Sequence, residues 1–381
     1  MSNLHIYFPS TFRFESRILK ETKSIVDNGL FDKVYIAAYY EEGQQLEEAI
    51  DEYREVNRFK SSSLQNTSLF LFKIIKFVEI NLRAIFFYSQ RNIDVINAHS
   101  INVLPLAVLM KKFYGAKLIY DTHELETEKN GLSGFKQKAL KFLEKKLVNY
   151  VDSTIAVCEP ISDWYRKEYD LKHVTTVRNM PYRAQMIQEP SSILKEEFSI
   201  PEDSILFIYQ GLMSFGRGIE RLIEIFSNPN VKHHIVFMGY GEMSQAVIDK
   251  AKERSNIHFK DAVPPDQITK YTSSADIGIL LADNTCLSYY LSLPNKFFEY
   301  VNCELPILCW SWPCMDDFIK QYENGWSIND NLDLQSVVRI VAAIDAIEIL
   351  SKKAQCMLAK NNIGWSIDEP QLLKVFKDLK N

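Results

Sequence analysis

The sequence predicts an α/β fold of two modules, each with a parallel sheet covered by helices on both faces. Short β-rich segments alternate with helical patterns through the first half of the 381-residue chain, and the alternation starts again after about residue 190. Strand–helix alternation of this kind is typical of parallel sheets with helices on both faces. At roughly 100–200 residues per domain, the length fits two or three domains.

Short segments that are rich in β-branched or aromatic residues and bounded by polar or turn residues are predicted as strands. The first module has such segments at residues 5–8, 34–39, 95–99, 117–121 and 153–158. The second module has them at residues 205–211, 234–239, 257–259, 276–281 and 305–310. In the first module, helical periodicity covers residues 15–28, 68–90, 101–113 and 133–149.

The two modules are predicted to span residues 1–184 and 190–360, because the periodicity is lost in the polar stretch that follows Pro181. The cleft between two such modules is the default ligand site. Residues 361–381 are predicted to contain a helix that crosses back onto the first module, since its apolar side chains need a surface to cover. A terminal helix packed locally is equally allowed by the sequence.

Composition excludes several classes of protein. Hydrophobic residues make up 46% of the chain and charged residues 24%, which excludes a disordered or fibrous chain. The 44 Lys and Arg residues against 49 Asp and Glu residues argue against broad binding to nucleic acid. None of the six cysteines forms a C-x-x-C pair, so buried thiols in a reducing cytosol are expected rather than a zinc site or a disulfide framework. The N-terminus predicts no secretion signal, and we expect a cytoplasmic protein.

Residues 68–88 resemble a membrane span in their apolar content only. Lys73, Lys76, Glu79 and Arg83 recur every three or four residues, so on a helix they form one polar stripe. Each charge at the centre of a bilayer costs a few kcal/mol. A well-buried amphipathic helix is therefore predicted.

The strongest functional motif is LPNKFFEYVNCELPIL at residues 293–308. Pro294 and Asn295 are predicted to open a helix, whose free N–H groups beside Lys296 suit a diphosphate. Glu299 lies one turn further on the same face, where a carboxylate can accept two ribose hydroxyls. The alternative is an ordinary solvated helix start with Glu299 paired to a lysine, which is slightly favoured when this segment is taken alone.

A second motif is YQGLMSFGRGIERLIEIF at residues 209–226. A strand ends at Gly211, and Arg217 lies between Gly216 and Gly218 at the start of a helix. Glycines permit close approach of the backbone to a phosphate, and arginine can grip it with two hydrogen bonds. The alternative is a flexible turn with a surface arginine. The chain has no dinucleotide-binding glycine fingerprint after its first strand and no P-loop motif.

These segments together resemble a known family. With FMGYG (237–241), DAVPPDQITKYTSSADIGILL (261–281), VINAHSINVLPLAVLMKK (95–112) and AKLIYDTHELETE (116–128), they resemble the retaining glycosyltransferases of family 4, which have the GT-B fold. The resemblance covers nearly the whole chain. It implies two Rossmann-like domains whose parallel sheets face across a cleft, the first binding the acceptor and the second the nucleotide-sugar donor, with a closing helix that crosses back.

The resemblance also implies roles for individual residues. Arg217 matches the basic residue that holds the donor diphosphate, and Glu299 matches the glutamate that binds ribose. His123 matches an acceptor-domain histidine near the reacting sugar, and this context favours a functional role over the alternative of a histidine merely hydrogen-bonded at a strand end. The remaining donor-binding candidates are Gly211, Gly216, Gly218, Val263, Asn295 and Lys296, and the candidates on the acceptor side are Arg17 and His99.

Two of the departures from the family pattern concern the donor half. Many members carry a sugar-facing glutamate eight residues before the position of Glu299, where this chain has Leu291. An arginine often seen five residues before the position of Arg217 is replaced by Leu212. These departures favour the alternative of a catalytically silent partner that binds a nucleotide sugar. A nucleotide-sugar epimerase or sugar phosphorylase on the same fold is the other alternative.

The expected reaction is transfer of a hexosyl group from a UDP- or GDP-sugar to an acceptor hydroxyl with retention, in the synthesis of a cell-surface polysaccharide or glycoconjugate. The acceptor is expected to be a saccharide or a lipid-linked saccharide. No metal is expected, because the sequence has no Asp-x-Asp pair suited to Mg²⁺ or Mn²⁺. The basic amphipathic segment 135–148 is an expected site of peripheral contact with the inner face of a membrane, the alternative being a solvated helix packed on its own domain.

Overall fold

A computed structural model describes residues 1–8, 10–13, 15–61, 70–182 and 191–380, with the side chains of 70–74 left out of the description. The chain forms two compact units, the first of Met1–Arg178 with Asp368–Asn381 and the second of Asn179–Ile367. The boundaries at residues 184 and 190 that the sequence suggests lie outside the described residues, as do residues 68 and 69 of the apolar stretch.

The first unit is built on a sheet of eight strands. They are β1 (Ser2–Ile6), β2 (Lys33–Tyr39), β3 (Glu47–Ala49), β4 (Arg54–Phe59), β5 (Val95–His99), β6 (Lys117–Thr122), β7 (Ser153–Ala156) and β8 (Val174–Thr176). Their order is β3-β4-β2-β1-β5-β6-β7-β8. All neighbouring pairs are parallel except β3 with β4, so a short antiparallel strand closes one edge.

The helices of the first unit connect these parallel strands. They are α1 (Ser16–Asp27), α2 (Phe70–Ser89), α3 (Leu104–Tyr114), α4 (Gly134–Leu147) with a 3-10 turn (Val148–Tyr150), and α5 (Glu159–Tyr169). Helix α3 shows why such segments start and stop where they do. Pro105 occupies its first turn, and Gly115 ends it with φ at 69° while its N–H donates to the carbonyl of Lys111.

The second unit is built on a parallel sheet of six strands. They are β9 (Leu206–Leu212), β10 (His234–Tyr240), β11 (Ile257–Asp261), β12 (Ile277–Leu280), β13 (Ile307–Trp310) and β14 (Gly325–Ile328). Their order is β11-β10-β9-β12-β13-β14, with helices between successive strands. Strands β9, β12 and β13 read as nearly continuous apolar runs because both faces of a parallel sheet are buried.

The helices of the second unit include the two that carry the functional motifs. They are α6 (Ile193–Glu197), α7 (Ile219–Ser227), α8 (Ser244–Glu253), α9 (Pro265–Thr272), α10 (Leu287–Leu291), α11 (Asn295–Asn302), α12 (Pro313–Tyr322), α13 (Leu334–Ala343) and α14 (Ala346–Lys360). The last helix of the chain, α15 (Trp365–Lys380), belongs to the first unit from Asp368 onward. There Phe376 packs edge-on against Phe31, with ring centroids 5.7 Å apart.

Strand β1 starts at Ser2, three residues before the predicted start, and β4 was not predicted. In both cases polar residues hide the pattern: Asn3 is fully buried, where it donates to the carbonyl of Val95. In β4, Arg54 and Arg58 are 7% and 6% exposed. They pair with Asp51 and Glu48, so a strand that reads as polar is buried through its ion pairs.

No helix among the described residues is long and apolar enough to cross a membrane. Along helix α2, Glu79 of the expected polar stripe pairs with Arg83, while the side chain of Lys73 lies outside the description. The apolar surface of α2 is less buried than the sequence predicts, however. Ile75, Leu82 and Phe86 are 44%, 48% and 69% exposed.

Candidate functional site

An open pocket lies within the second unit, where β9 and β12 end and α11 begins. Most of its lining is apolar, and two basic side chains enter it, Arg217 and Lys296. The other lining residues are Tyr209, Leu280, Leu281, Ala282, Tyr289, Ser292, Pro294, Trp312 and Met315. The carboxyl ends of parallel strands are where open α/β sheets bind ligands.

Arg217 reaches this pocket from a glycine loop between β9 and α7. Gly218 has φ at 78°, and a Cβ added to it would lie 2.0 Å from the carbonyl oxygen of Leu281, so only glycine fits. The guanidinium carbon of Arg217 lies 5.1 Å from the centre of the Tyr289 ring. Its Nε is buried and makes no hydrogen bond to any described residue, which leaves a donor directed into the protein without an acceptor.

Lys296 reaches the same pocket from the first turn of α11. The helix begins at Asn295, and Pro294 precedes it in an extended conformation instead of lying in its first turn as predicted. The Nζ of Lys296 lies 4.0 Å from the centre of the Tyr209 ring. Burial, together with the charge of Arg217, lowers the pKa of this amine to about 7.

The charge of Glu299 favours the protonated form of Lys296, but burial and the charge of Arg217 outweigh it. Within the described part of the chain, neither Arg217 nor Lys296 forms an ion pair with a carboxylate. Two neighbouring positive charges in a mostly apolar pocket repel each other and are costly to desolvate. An anion that binds between them would remove both costs, so the pocket is suited to a phosphate or diphosphate group.

Glu299 lies one turn beyond Lys296 on α11. The side-chain amide of Gln210 donates to its carboxylate, and the oxygen of that amide accepts a hydrogen bond of 2.5 Å from Thr272 Oγ1. This chain of contacts fixes the orientation of the Gln210 amide. Gln210 is therefore one hydrogen-bond partner of Glu299.

The remaining donor-binding candidates lie at different distances from the pocket. A Cβ on Gly211 would be 3.6 Å from Lys296 Nζ, so this strand end adjoins the cation. Gly216 accepts a backbone hydrogen bond from Asp283, which lies in the segment after β12. Asn295 is exposed and accepts from Asn179 at 3.1 Å, while Val263 is partly buried after β11 and does not line the pocket.

A second cluster of polar side chains lies in the first unit, at the carboxyl ends of three adjacent strands. His5 lies near the end of β1, His99 ends β5, and Asp121 precedes the final residue of β6. His123 follows immediately after β6. The Nδ1 of His5 lies 2.8 Å from Nε2 of His99, whose own Nδ1 lies 3.0 Å from Nε2 of His123.

Asp121 is the anion at the centre of this cluster. Its Oδ2 lies 3.0 Å from Nδ1 of His99, and its two oxygens accept hydrogen bonds from Arg17 at 2.8 and 3.2 Å. Burial alone would raise the pKa of Asp121, but Arg17 and His99 hold it well below the ordinary value. The buried Glu21 also lies 3.0 Å from Arg17 Nε. Burial and the charge of Asp121 raise the pKa of Glu21.

The members of this cluster differ in how far their side chains are exposed. Arg17 and His99, the candidates for contact with the acceptor, are 4% and 0% exposed, and their polar atoms are engaged by neighbours. The side chain of His123 is 23% exposed and lies 5.1 Å from the Tyr7 ring. Burial lowers the pKa of His123 to about 3, so it is neutral near pH 7. Of the three, His123 is the one in a position to meet a ligand.

The same cluster contains groups that bind metal ions in other proteins. Atoms of His99, Asp121 and His123 lie within 4.8 Å of one another, as do those of His5, Glu21 and His99. The guanidinium of Arg17 occupies both oxygens of Asp121 and adds a positive charge beside them. The positive charge of Arg17 opposes the binding of a divalent cation beside Asp121.

Sequence reasoning missed His5, Asp121 and the aromatic lining of the pocket. A usable signal existed for the first two, because parallel strands bring their carboxyl ends to one edge of the sheet. His99 pairs with Asp121 in the β5–β6 register, and His5 is two residues out of register with His99 on the neighbouring strand. Trp312 and Met315 carried no comparable signal, since an apolar residue at a helix start looks like core.

Two family models match the chain. Residues 32–180 match the model described as "Glycosyltransferase Family 4", and residues 191–361 match the model described as "Glycosyl transferases group 1". The chain is a glycosyltransferase of the family 4 type. The order of the two matches agrees with the two units of the structure, and the predicted resemblance is confirmed.

Solved structures confirm the predicted fold class. The glycosyltransferase resembles sucrose-phosphate synthase from Thermosynechococcus elongatus over all of its length and 99% of that chain, with a TM-score of 0.77 and 12% identity. A glycosyltransferase from Rickettsia africae gives a TM-score of 0.72 with 12% identity, over 100% and 98% of the two chains. The Anabaena HepE protein in complex with UDP-glucose gives 0.69 with 13% identity, again over 100% and 98%. The fold is therefore GT-B.

Curated relatives share more sequence with this glycosyltransferase. The chitobiosyldiphosphodolichol beta-mannosyltransferase of Candida albicans is 23% identical over 295 residues, covering 71% of this chain. The enzyme of the same name from Kluyveromyces lactis is 21% identical over 327 residues, covering 73% of this chain and 70% of its own length. The chain matches only 64% of the length of the Candida enzyme.

Proposed function

We propose that this glycosyltransferase transfers a hexosyl group from a nucleotide-sugar donor to an acceptor hydroxyl. The observation that carries the proposal is the pair of cations, Arg217 and Lys296, that line one pocket without a carboxylate partner among the described residues. Such a pocket suits the diphosphate of a nucleotide sugar. The Anabaena structure of the same fold, solved with UDP-glucose, supports a donor of this class.

The pocket residues also suit the chemistry of the leaving group. Breaking the bond between the sugar and the diphosphate develops negative charge on the phosphate oxygens. Arg217, Lys296 and the N-terminus of α11 would stabilise that charge, and preorganised electrostatic stabilisation is usually the largest contribution to catalysis. The donor diphosphate itself could accept the proton of the acceptor hydroxyl, so this scheme needs neither a protein base nor a metal ion.

The other donor-binding candidates have supporting roles in the proposal. Glu299 would accept the two ribose hydroxyls, and the glycines at 211, 216 and 218 would let the backbone approach the phosphates. Asn295 lies beside Lys296 at the start of α11, and Val263 would face the base. We propose a UDP- or GDP-sugar as donor. His123 would position the reacting sugar as a neutral hydrogen-bond donor.

A lipid-linked saccharide is the proposed acceptor class. Both curated relatives are named for a saccharide carried on diphosphodolichol. On α4, Phe135 and Phe142 are 87% and 64% exposed, and several lysines surround them. This helix does not bury the apolar face predicted from its sequence, which supports peripheral contact between segment 135–148 and an anionic membrane. The six free cysteines fit a reducing compartment, and we propose the cytoplasmic face of a membrane.

The stereochemical outcome has two candidates. Retention is proposed from the resemblance to retaining members of the family. Inversion is favoured by the name of the curated relatives, which are beta-mannosyltransferases. NMR of the product formed from a donor of known anomeric configuration distinguishes the two.

The donor site is tested by binding. UDP-, GDP-, ADP- and dTDP-sugars are screened by thermal shift, and the affinity of the best is measured by calorimetry. Arg217→Ala and Glu299→Ala should each weaken binding by roughly 10- to 100-fold, the usual effect of a lost charged hydrogen bond. The exposed Lys252→Ala serves as the matched control and should change nothing. Unchanged affinity in the first two variants would remove the assignment of the donor site.

Turnover separates the proposal from its alternatives. His123→Ala should keep donor affinity and lose transfer to an acceptor. Incubation with the donor alone identifies an epimerase, because only an epimerase changes the sugar without an acceptor. Donor binding without turnover across an acceptor panel would favour the silent partner that Leu291 and Leu212 suggest.

A further inference from the structure

The histidine cluster of the first unit fixes where its protons lie. Asp121 is ionised, because Arg17 holds the pKa of its carboxyl well below the ordinary value. An ionised carboxylate can only accept hydrogen bonds. The Nδ1 of His99, which lies 3.0 Å from Asp121 Oδ2, must therefore carry a hydrogen.

The proton on His99 determines the state of His123. Nδ1 of His99 also lies 3.0 Å from Nε2 of His123, so the hydrogen on that Nδ1 is shared between this nitrogen and Asp121. Two N–H groups cannot point at each other, so Nε2 of His123 must be the acceptor. In a neutral imidazole one nitrogen carries the only proton. The proton of His123 is therefore on Nδ1.

On its other side, Nε2 of His99 lies 2.8 Å from Nδ1 of His5, and one of these two nitrogens donates to the other. Nε2 of His5 is buried and has no hydrogen-bond partner among the described residues. Burial lowers the pKa of His5 well below the ordinary value, which agrees with a neutral ring.

We propose that His99 is a positioning residue that holds His123 as the Nδ1–H tautomer and thereby presents Nδ1–H, rather than Nε2, to the substrate. No other hydrogen bond of the His123 side chain occurs within the described part of the chain, so this donor is available to a sugar hydroxyl or a phosphate oxygen. The effect on turnover rests on the proposed function, but the tautomer does not.

The surroundings of His123 keep it a donor rather than an acid. The groups that face it are Asp121 and His99 on the neighbouring strand ends, Arg17 on α1, Tyr7 after β1, and Lys129 in the loop that precedes α4. Burial has the largest effect on the ring, and it outweighs the opposing charge of Asp121. The tautomer should therefore stay the same between pH 6 and 8.

The tautomer is measured directly on the wild-type protein. In ¹⁵N-histidine-labelled protein without ligand, long-range ¹H–¹⁵N correlation spectra distinguish an Nδ1–H ring from an Nε2–H ring. The His123→Gln variant identifies the His123 signals by their loss. The expected result is an Nδ1–H ring at pH 7, and an Nε2–H ring would overturn the proposal.

Two variants of His99 test its positioning role. The side-chain nitrogen of asparagine stands close to Nδ1 of histidine, so His99→Asn retains a donor towards His123, whereas His99→Phe retains a ring without one. We expect His99→Phe to shift His123 towards Nε2–H and to lower kcat at least 10-fold with the KM for the donor unchanged. His99→Asn should keep both the tautomer and most of kcat.

The outcomes separate this inference from the proposed function. If both His99 variants lose kcat equally while the tautomer of His123 is unchanged, His99 has only a structural role and the inference fails. If the wild-type ring is Nδ1–H but His123→Ala is fully active, the role proposed for His123 in turnover fails and the tautomer stands.

Discussion

Tyr169 on α5 donates its phenolic hydrogen to Oε2 of Glu144 on α4 at 2.7 Å. Glu144 is the one fully buried residue of α4, so this hydrogen bond connects the two helices. Glu144 also accepts hydrogen bonds from Tyr120, Tyr165 and Thr127 at 2.6, 3.1 and 3.2 Å. A buried carboxylate therefore holds α4 against its neighbours, whereas buried apolar side chains hold most amphipathic helices in place. This arrangement leaves the phenylalanines of α4 free to face outward.

Replacing that carboxylate should destabilise the first unit. Glu144→Leu leaves three buried tyrosine hydroxyls without their acceptor and should cost about 3 kcal/mol or more in the free energy of unfolding. Glu144→Gln keeps an acceptor oxygen and should cost less. Urea denaturation measures both. Glu168→Leu, which breaks a half-exposed ion pair with Lys141, is the control and should cost under about 1 kcal/mol. A Glu144→Leu protein as stable as this control would contradict the anchoring role.

Donor binding should depend on pH through Lys296. Its pKa of about 7 leaves the amine largely neutral above that pH, and only the protonated form pairs with a diphosphate. Affinity for a nucleotide sugar should therefore fall as pH rises from 6.5 to 8.5, approaching a tenfold loss per pH unit at the upper end. Lys296→Arg keeps its charge throughout and should flatten the profile.

Calorimetry in buffers of different ionisation enthalpy checks the same point. The wild-type protein should take up close to one proton per bound nucleotide sugar at pH 8, and the Lys296→Arg variant none. In the absence of ligand, the lowered pKa has the opposite consequence for stability. Between pH 7 and 10 the unfolded chain binds the proton more tightly, so the contribution of Lys296 to the free energy of unfolding rises with pH. An affinity that does not change with pH would contradict the buried-cation description of the pocket.

The glycine loop should tolerate no side chain at residue 218. In Gly218→Ala the new Cβ would lie 2.0 Å from the Leu281 carbonyl oxygen, in addition to the strain of φ at 78°. We expect a loss of about 3 kcal/mol or more in the free energy of unfolding, together with weaker donor binding. Gly43→Ala is the matched control, because Gly43 has φ at 86° but no atom within 4 Å of the added Cβ. It should lose only about 1 kcal/mol. Equal losses would show that the close approach to Leu281 is not a constraint.

Membrane contact through α4 should depend on its exposed aromatic residues. Replacing Phe135 and Phe142 together by Ser should lower partitioning onto vesicles of mixed neutral and anionic lipid at least 10-fold. The reason is that the apolar side chains beside the lysines of α4 are lost. The double variant Ile347→Ser/Leu350→Ser removes side chains that are 79% and 68% exposed on α14 and is the matched control. Vesicle sedimentation measures both. Equal partitioning of the two double variants would contradict a role for α4.

Much of the fold followed from periodicity. The segments at residues 95–99 and 117–121 were located within one residue, because β-branched and apolar residues dominate these central strands. Strands β4 and β14 were not predicted, for different reasons. The buried faces of β4 carry Arg54 and Arg58, which pair with Asp51 and Glu48 outside the strand, so its alternation of residue types does not look like that of a buried strand. Strand β14 is only four residues long and is preceded by polar residues.

The candidate site was predictable where the chemistry lies in one segment. Arg217 and Lys296 stood out as basic residues at helix starts, and the structure brings both into one pocket. The sequence does not show which side chains form hydrogen bonds with a given site residue. Glu299 on α11 accepts a hydrogen bond from Gln210 on β9. Arg17 donates to Asp121, which lies more than a hundred residues away in the sequence. Pairings of this kind depend on strand order, which composition and periodicity do not specify.

Helix α15 has a consequence for the order in which the chain acquires its structure. Leu372 and Phe376 are fully buried in the first unit, yet a ribosome makes them only after the whole of the second unit. Phe31 packs against Phe376, with ring centroids 5.7 Å apart, and Phe376 lies 345 residues later in the chain. The hydrophobic surface around Phe31 therefore stays uncovered during most of synthesis. The amino-terminal half is begun first and completed last, which makes the nascent protein dependent on protection from aggregation through most of its translation.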